Sequence, residues 1–233
     1  MSGRGKEDQI LQELKCVISG LRKSPDKVLK MAINLNESKN YVESLLLFHV
    51  SNELHEKERV SCNDAAKWIR NLVCEIWKPT GPLIKAGGRS RDFGMSHGFE
   101  FMGRLIFKLN GMKDVNPDVR AAELAKCLVN MTFICIRAGE YEKMIQFGRK
   151  GVSVMDEQFG SNASKHGCYG QLLNNLGAAY EMSGRYSEAA DCYSRSARAC
   201  EKAADFSEKE RTKWVEITRK NLNDVHKKKN ERK

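Results

Sequence analysis

The chain contains 233 residues, with a formal net charge of +10 and 41% hydrophobic residues. It is long enough to bury a substantial core and too apolar to be disordered as a whole. Its first residues lack the apolar stretch of a secretory signal, and no run of about 18 apolar residues occurs, so we expect neither export nor a membrane span. We therefore expect a cytoplasmic protein whose eight cysteines are reduced. The basic charge permits nucleic acid, anionic membranes or acidic peptides as partners.

Helical periodicity dominates the N-terminal third of the sequence. After a polar segment, residues 1–9, that we expect to be a loose tail, apolar residues recur three and four positions apart. This pattern predicts helices over about residues 10–21, 25–35, 40–54 and 61–77. Ser24 and Pro25 are a favourable N-cap and first helical residue. Residues 10–77 are thus predicted to form a set of N-terminal helices.

Residues 78–98 differ in composition, because they hold two prolines and five glycines. Both residue types disfavour the interior of a helix, so we predict a long irregular loop here, followed by a short helix over residues 99–109. The irregular segment as a whole is predicted to span residues 78–115. Asn116-Pro117-Asp118 then restarts a helical pattern. Since no alternating run typical of a strand appears, the predicted fold class is all-α.

A helical repeat is visible over residues 170–203, where the spacing fits the pattern W-x2-L-G-x2-Y with Leu in the first position. The residues that fit the pattern, and that we expect to have a structural role in the repeat, are Leu173, Leu176, Gly177, Tyr180, Gly184, Ala189 and Tyr193. The segment resembles a tetratricopeptide repeat (TPR), which is a hairpin of two helices. We expect the two helices to touch at Gly177, opposite Ala189, where a larger side chain would push them apart. Gly184 allows the chain to reverse between the helices.

Further copies of the repeat are less regular. One lies 45 residues upstream, where Gly139 aligns with Gly184 while Thr132 and Gly148 replace Gly177 and Tyr193. A weaker copy starts at Pro25, and residues 60–115 align with no copy. The long spacing is similar to that of kinesin-light-chain repeats. Residues 214–222 look like the first helix of a repeat that has no second helix. The resemblance implies a TPR-like α-solenoid over residues 116–226 that ends in a capping helix, followed by a basic tail, residues 227–233.

The resemblance also implies a function, because TPR arrays commonly bind a peptide or a partner helix in a concave groove. The first helix of each hairpin lines that groove. The matching positions here are Lys126, Val129, Asn130, Phe133, Arg137, Gln171, Asn174, Asn175, Ala178, Met182 and Arg219, with Val215 beside the last. Asn130 and Asn175 occupy the same repeat position, and a side-chain amide can both donate to and accept from a peptide backbone. The alternative is that both amides satisfy local backbone groups.

The alternative hypothesis is that the chain is a repeat protein that associates with nucleic acid. It depends on two basic, solvent-accessible stretches, formed by Lys85, Arg89, Arg91, Lys227, Lys228 and Lys229. The C-terminal cluster also permits nuclear import. A flexible loop and a frayed, solubilising helix end explain the same residues. Salt separates the two functions, because nucleic-acid binding weakens steeply as salt rises whereas binding of a peptide in a groove changes less.

No catalytic residue, cofactor or metal site is predicted. Asp92-Phe93-Gly94 matches a kinase tripeptide, but the other kinase motifs are missing from the sequence. There is no C-x-x-C pair, and the cysteines spaced eight apart on a helix lie about 12 Å apart along its axis. We expect these thiols to be small buried apolar groups. Self-association through an exposed end of the array stays an open alternative.

Overall fold

The computed structural model describes residues 24–56 and 61–231, and the predictions for residues 1–23 lie outside this part of the chain. Both described ranges consist of α-helices joined by short turns and one 3-10 helix, with no β-strand in either range. The prediction of an all-α fold is therefore confirmed. The chain divides into two compact units, Met1–Gly103 and Arg104–Lys233. This boundary falls inside the segment that we predicted to be irregular.

Among the described residues, five helices contribute to the first unit. Their bounds are α1 Pro25–Glu37, α2 Tyr41–Glu56, α3 Cys62–Glu75, α4 Trp77–Ala86 and α5 Gly88–Gly111. The part of α5 up to Gly103 belongs to this unit. α1 and α2 form a hairpin that two fully buried serines hold together. Ser44 Oγ donates to the carbonyl of Ala32 at 2.7 Å, and Ser51 Oγ donates to the carbonyl of Pro25 at 2.9 Å. Leu45, Leu46 and Phe48 are among the apolar residues buried beside them.

The predicted loop over residues 78–98 is wrong, because α4 and α5 occupy almost all of it. Pro79 lies in the first turn of α4, where the backbone amide has no intrahelical partner to lose. Thr80 Oγ1 donates to the carbonyl of Ile76 at 2.8 Å and so supports the same turn. Pro82 lies one turn further on and is accommodated within the helix. Proline near the start of a helix is thus compatible with helical structure in a segment whose composition predicts a loop.

The glycines of this segment have two different roles. Gly87 and Gly88, with φ of 78° and 50°, form the short turn between α4 and α5. Gly94 lies inside α5 at a contact with α4, where an added Cβ would be 2.8 Å from the Cβ of Leu83. α5 continues through Leu109 to Gly111, so the predicted short helix is part of one long helix.

The second unit contains a regular succession of helices. Their bounds are α6 Pro117–Ala138, α7 Tyr141–Phe159, the 3-10 helix Gly160–Lys165, α8 Gly167–Met182, α9 Tyr186–Lys202 and α10 Glu208–Glu231. Asn116 caps α6 as its position before Pro117 predicts, since its side chain accepts from the amides of Asp118 and Val119. α6 packs on α7, α8 on α9 and α9 on α10, while α8 also packs against both α6 and α7.

Three helix-to-helix turns share one backbone geometry. Lys39, Gly139 and Gly184 have φ of 63°, 77° and 73° in the turns α1–α2, α6–α7 and α8–α9. In each turn the amide of the following residue donates to the carbonyl five residues earlier, at 2.8, 3.0 and 2.8 Å respectively. Glu140 and Arg185 follow the glycines with almost identical φ and ψ, −89° and 63° against −89° and 64°. This is the Schellman arrangement, in which glycine is favoured because its φ is positive.

Close contacts between the helices of the second unit depend on glycine. A Cβ on Gly177 would lie 2.8 Å from the ring of Tyr193, and a Cβ on Gly151 would lie 2.7 Å from Leu172. A Cβ on Gly148 would lie 3.3 Å from Leu176 Cβ. The neighbour of Gly177 is therefore the ring of Tyr193 rather than Ala189. The residues predicted to fill the hairpins are buried, and these are Leu173, Leu176, Tyr180, Ala189 and Tyr193.

The turn before α10 is fixed to the start of α8. Asp205 Oδ1 accepts from the amide of Gly167 at 2.6 Å, and the amide of Ala204 donates to the carbonyl of Lys165 at 2.8 Å. Ser207 and Glu210 then form a capping box: Ser207 N donates to the Glu210 carboxylate at 2.9 Å and Glu210 N donates to Ser207 Oγ at 3.3 Å. α10 runs on to Glu231, so the residues predicted as a basic tail from position 227 are helical up to that point.

Candidate functional site

The predicted groove positions of α6 and α8 share one side of the second unit, which we call the front face. In α6 and α8 they recur three, four and seven positions apart, so that they lie on one side of each helix. Met182, 56% exposed, and Arg137 are open to solvent, whereas Asn174 is buried. The other predicted positions on these helices are half-buried, namely Lys126, Val129, Asn130, Phe133, Gln171, Asn175 and Ala178.

A chain of side-chain hydrogen bonds crosses the front face. Asn175 Nδ2 donates to Thr132 Oγ1 of α6 at 2.9 Å, and Asn174 Nδ2 donates to Asn175 Oδ1 at 3.4 Å. Asn221 of α10 donates through Nδ2 to Asn174 Oδ1 at 2.9 Å. We call these four residues the amide ladder. The amide ladder connects α6, α8 and α10. It also uses one hydrogen of the Asn175 amide, the group that we expected to bind a peptide.

One carboxylate joins α8 to both α9 and α10. Glu181 accepts from Tyr193 OH at 2.7 Å and from Lys228 Nζ at 2.7 Å. Desolvation, with a further contribution from this hydrogen bond to a carboxylate, raises the pKa of Tyr193 well above its ordinary value. Tyr193 therefore stays protonated and keeps donating to Glu181. The contact fixes the last helix at the C-terminal end of the front face.

The residues that connect α10 to α8 differ from Arg219, the residue of this helix that the sequence predicts for the groove. Arg219 forms an ion pair with Glu201 of α9 at 2.5 Å, whereas Asn221 and Lys228 of α10 form hydrogen bonds to α8. Each lies 47 positions after its partner, Asn174 or Glu181, whereas the two hairpin turns are 45 positions apart. Asparagines 47 residues apart are the signal that could have identified Asn221.

The C-terminal ends of α6 and α8 present apolar surface beside a cation. The guanidinium carbon of Arg137 lies 5.2 Å from the ring centroid of Phe133, one turn earlier on α6. Ala178 and Met182 occupy the equivalent positions 45 residues later on α8. Within residues 24–56 and 61–231 Arg137 forms no ion pair. Such a patch offers an apolar contact and a positive charge to a ligand.

Lys126, at the other end of the front face, is already engaged. Its Nζ lies 3.2 Å from Glu123 Oε1, and Glu123 is only 1% exposed. A buried carboxylate paired with a partly exposed cation is costly to separate. Lys126 is therefore less available to a ligand than Arg137 is.

The basic residues of the nucleic-acid alternative lie in both units. Lys85, Arg89 and Arg91 are exposed around the turn between α4 and α5 in the first unit. Lys227 and Lys228 are exposed in the last turns of α10, and Lys228 is held by Glu181, so its charge is partly neutralised there. The structure thus places the two stretches at helix ends.

The described thiols are buried, as the sequence predicts. They are Cys127, Cys135, Cys168, Cys192 and Cys200, all in the second unit. Burial raises the pKa of each, to about 11 for Cys192 and Cys200 and to about 12 for Cys135 and Cys168. Across the described ranges no group of three or more His, Cys, Asp or Glu side chains is placed to hold a metal ion. In the same ranges, no helix has the length and apolar character that crossing a bilayer requires.

Comparison with known proteins does not assign the chain to a family. No protein-family model matches it, and no curated protein matches it either.

Proposed function

We propose that the second unit is a stack of TPR-like hairpins capped by α10, and that it works as a non-enzymatic scaffold. In this proposal the front face binds a peptide or a helix of another protein. The single observation that carries it is the repeated turn geometry of α6–α7 and α8–α9. Almost equal φ and ψ at Glu140 and Arg185, which are 45 residues apart, are expected of a structural unit that occurs twice and so support this proposal.

The packing order supports the same arrangement. α8 contacts both helices of the preceding hairpin, as a following repeat does in a stacked array, and α10 covers the second helix of the last one. The outward side of α10 is polar and charged, with Lys213, Glu216 and Lys220 exposed. A polar outer face suits a helix that ends a stack.

The chemistry of the front face supports binding of a protein segment. The amide ladder holds the first helices together, and beside it Phe133, Arg137 and Met182 combine apolar area with one cation. Aromatic side chains, methionine and arginine are enriched at protein interfaces. We propose that a partner places an apolar side chain on this patch and an acidic group near Arg137.

The experiment is capture of binding partners from cell lysate on the purified full chain, at low and at high salt, with and without nuclease. Met182→Asp alters the front face at an exposed position, and Phe107→Asp is its matched control, since Phe107 is 83% exposed on α5. A discrete protein that survives salt and nuclease, and that Met182→Asp alone removes, is the expected result. A protein retained by both variants would contradict the proposal.

The alternative, association with nucleic acid, is favoured by the exposed cations at the α4–α5 turn and on α10. The same capture distinguishes it, because recovered nucleic acid would disappear at high salt or after nuclease. Replacing Lys85 and Arg89 by Glu would then reduce the recovery, while Met182→Asp would leave it unchanged.

A further inference from the structure

A cleft on the other side of α8 is formed by α7 and α9, and we call it the back cleft. Its walls are residues 149–157 of α7 and 187–195 of α9, and its floor is Leu176 and Tyr180 of α8. Its volume is about 670 Å³. The wall residues span about 12 Å along the helix axes, which is the length of two helical turns.

Tyrosine hydroxyls of α8 fix the charged side chains at the two ends. At one end Tyr169 OH donates to Asp156 Oδ1 at 2.8 Å and accepts from the Arg195 guanidinium at 3.1 Å. At the other end Tyr180 OH accepts from Arg149 Nε at 2.8 Å, and the guanidinium carbon of Arg185 lies 4.5 Å from the centroid of the same ring. Held side chains lose little further conformational freedom when a ligand binds.

The two ends differ in charge. Asp156, Glu157 and Asp191 outnumber Arg195 at the Tyr169 end, so that end is acidic. At the Tyr180 end Glu188 forms an ion pair at 2.6 Å with Arg185, which lies beside the lining, so the charge of Arg149 is in excess and that end is basic. Between the ends the lining is apolar, formed by Val152, Leu176 and Cys192.

We propose that the back cleft binds a short amphipathic helix of a partner protein. Charge complementarity defines the occupant: it carries Lys or Arg at the acidic end, an apolar residue over the middle and Asp or Glu at the basic end, about two turns apart. The positive N-terminus of such a helix favours the acidic end, so it runs parallel to α8 and antiparallel to both wall helices. This surface does not involve the front face, and the proposal does not depend on the function proposed for that face.

The test begins with selection of a phage-displayed library of helical 14-residue peptides against the full chain. Enriched peptides are then synthesised with a fluorophore, and their affinity is measured by anisotropy. The proposal predicts enrichment of basic, apolar and acidic residues in that order. Arg149→Glu should weaken such a peptide by about tenfold, and replacing the acidic residue of the peptide by Lys should restore binding to this variant.

Two further variants keep the result interpretable. Arg198→Glu makes the same charge change at an exposed position of α9 outside the cleft lining, and should leave affinity unchanged. Ser153→Trp fills the cleft from its exposed wall without touching the Arg149–Tyr180 bond, and should abolish binding. Circular dichroism and the thermal midpoint confirm that each variant is folded.

Three results would overturn the proposal. The first is that no peptide is enriched. The second is that enriched peptides bind Arg149→Glu and Ser153→Trp as tightly as they bind the unmodified chain. The third is that the chain self-associates in analytical ultracentrifugation and Ser153→Trp makes it monomeric, since the occupant would then be a second copy.

Discussion

Replacement of Gly177 by Ala tests how closely α8 and α9 approach one another. The added Cβ would lie 2.8 Å from two carbons of the Tyr193 ring, about 1 Å inside an ordinary carbon–carbon contact. The ring is 1% exposed and its hydroxyl donates to Glu181, so it has little room to move. Overpacking of this kind costs about 1–3 kcal/mol, and the helix preference for Ala over Gly returns about 1 kcal/mol. We expect the free energy of unfolding to fall by about 1 kcal/mol.

Two matched substitutions separate the packing cost from the helix preference. Gly148→Ala places its Cβ 3.3 Å from Leu176, and Gly103→Ala meets nothing within 4 Å. Gly103→Ala should therefore stabilise α5 by about 1 kcal/mol, with Gly148→Ala between the two. Urea unfolding followed by circular dichroism measures all three. If Gly177→Ala is as stable as Gly103→Ala, relative to the unmodified chain, then α8 and α9 are not in the contact described.

Three further predictions concern turns, caps and thiols. Lys39→Gly should stabilise the chain by about 0.5–1 kcal/mol, because Lys39 has a φ of 63° where Gly139 and Gly184 stand in the other turns; a lower thermal midpoint would contradict the shared turn geometry. Ser207→Ala should cost about 1 kcal/mol through loss of the capping box, as measured by urea unfolding, whereas an unchanged midpoint would show that the box contributes nothing. The five buried thiols should resist iodoacetamide at pH 8 in the folded chain and react in urea, as read by mass spectrometry of each peptide. Their pKa values are raised above the ordinary value near 9, so their contribution to stability is complete below that pH and is lost as the pH rises toward 11–12; a thermal midpoint that stays constant between pH 9 and 11 would refute this assignment.

The helix boundaries could be predicted wherever a capping residue precedes a proline. Asn116-Pro117 and Ser24-Pro25 mark the starts of α6 and α1 as the structure has them, and of the two N-cap side chains that of Asn116 accepts hydrogen bonds whereas that of Ser24 forms none to its helix. The predicted loop over residues 78–98 is wrong for the opposite reason, since the content of proline and glycine alone does not show where in a helix each residue lies. Pro79 does not disrupt the helix because it lies in the first turn. Gly94 allows a close contact with Leu83, which is apparent only in the folded chain.

The positions that share one side of α6 and of α8 could be predicted in outline because they follow helical spacing. The use of each side chain could not be predicted, because it depends on the neighbouring helix. Asn175 donates to Thr132 of α6, a residue that the repeat pattern singled out only as a replacement for glycine. The register of α10 depends on the turn that Asp205 fixes to Gly167, and no repeat position encodes that turn.

The most direct test of the scaffold proposal is the dissociation constant of the captured partner segment for three forms of the chain. These are the unmodified chain, Met182→Asp and Phe107→Asp, measured by isothermal titration calorimetry at one salt concentration. We expect at least a tenfold weaker affinity for Met182→Asp and an unchanged affinity for Phe107→Asp, with equal helicity in all three. Equal affinity of Met182→Asp and the unmodified chain would show that the front face does not bind the partner.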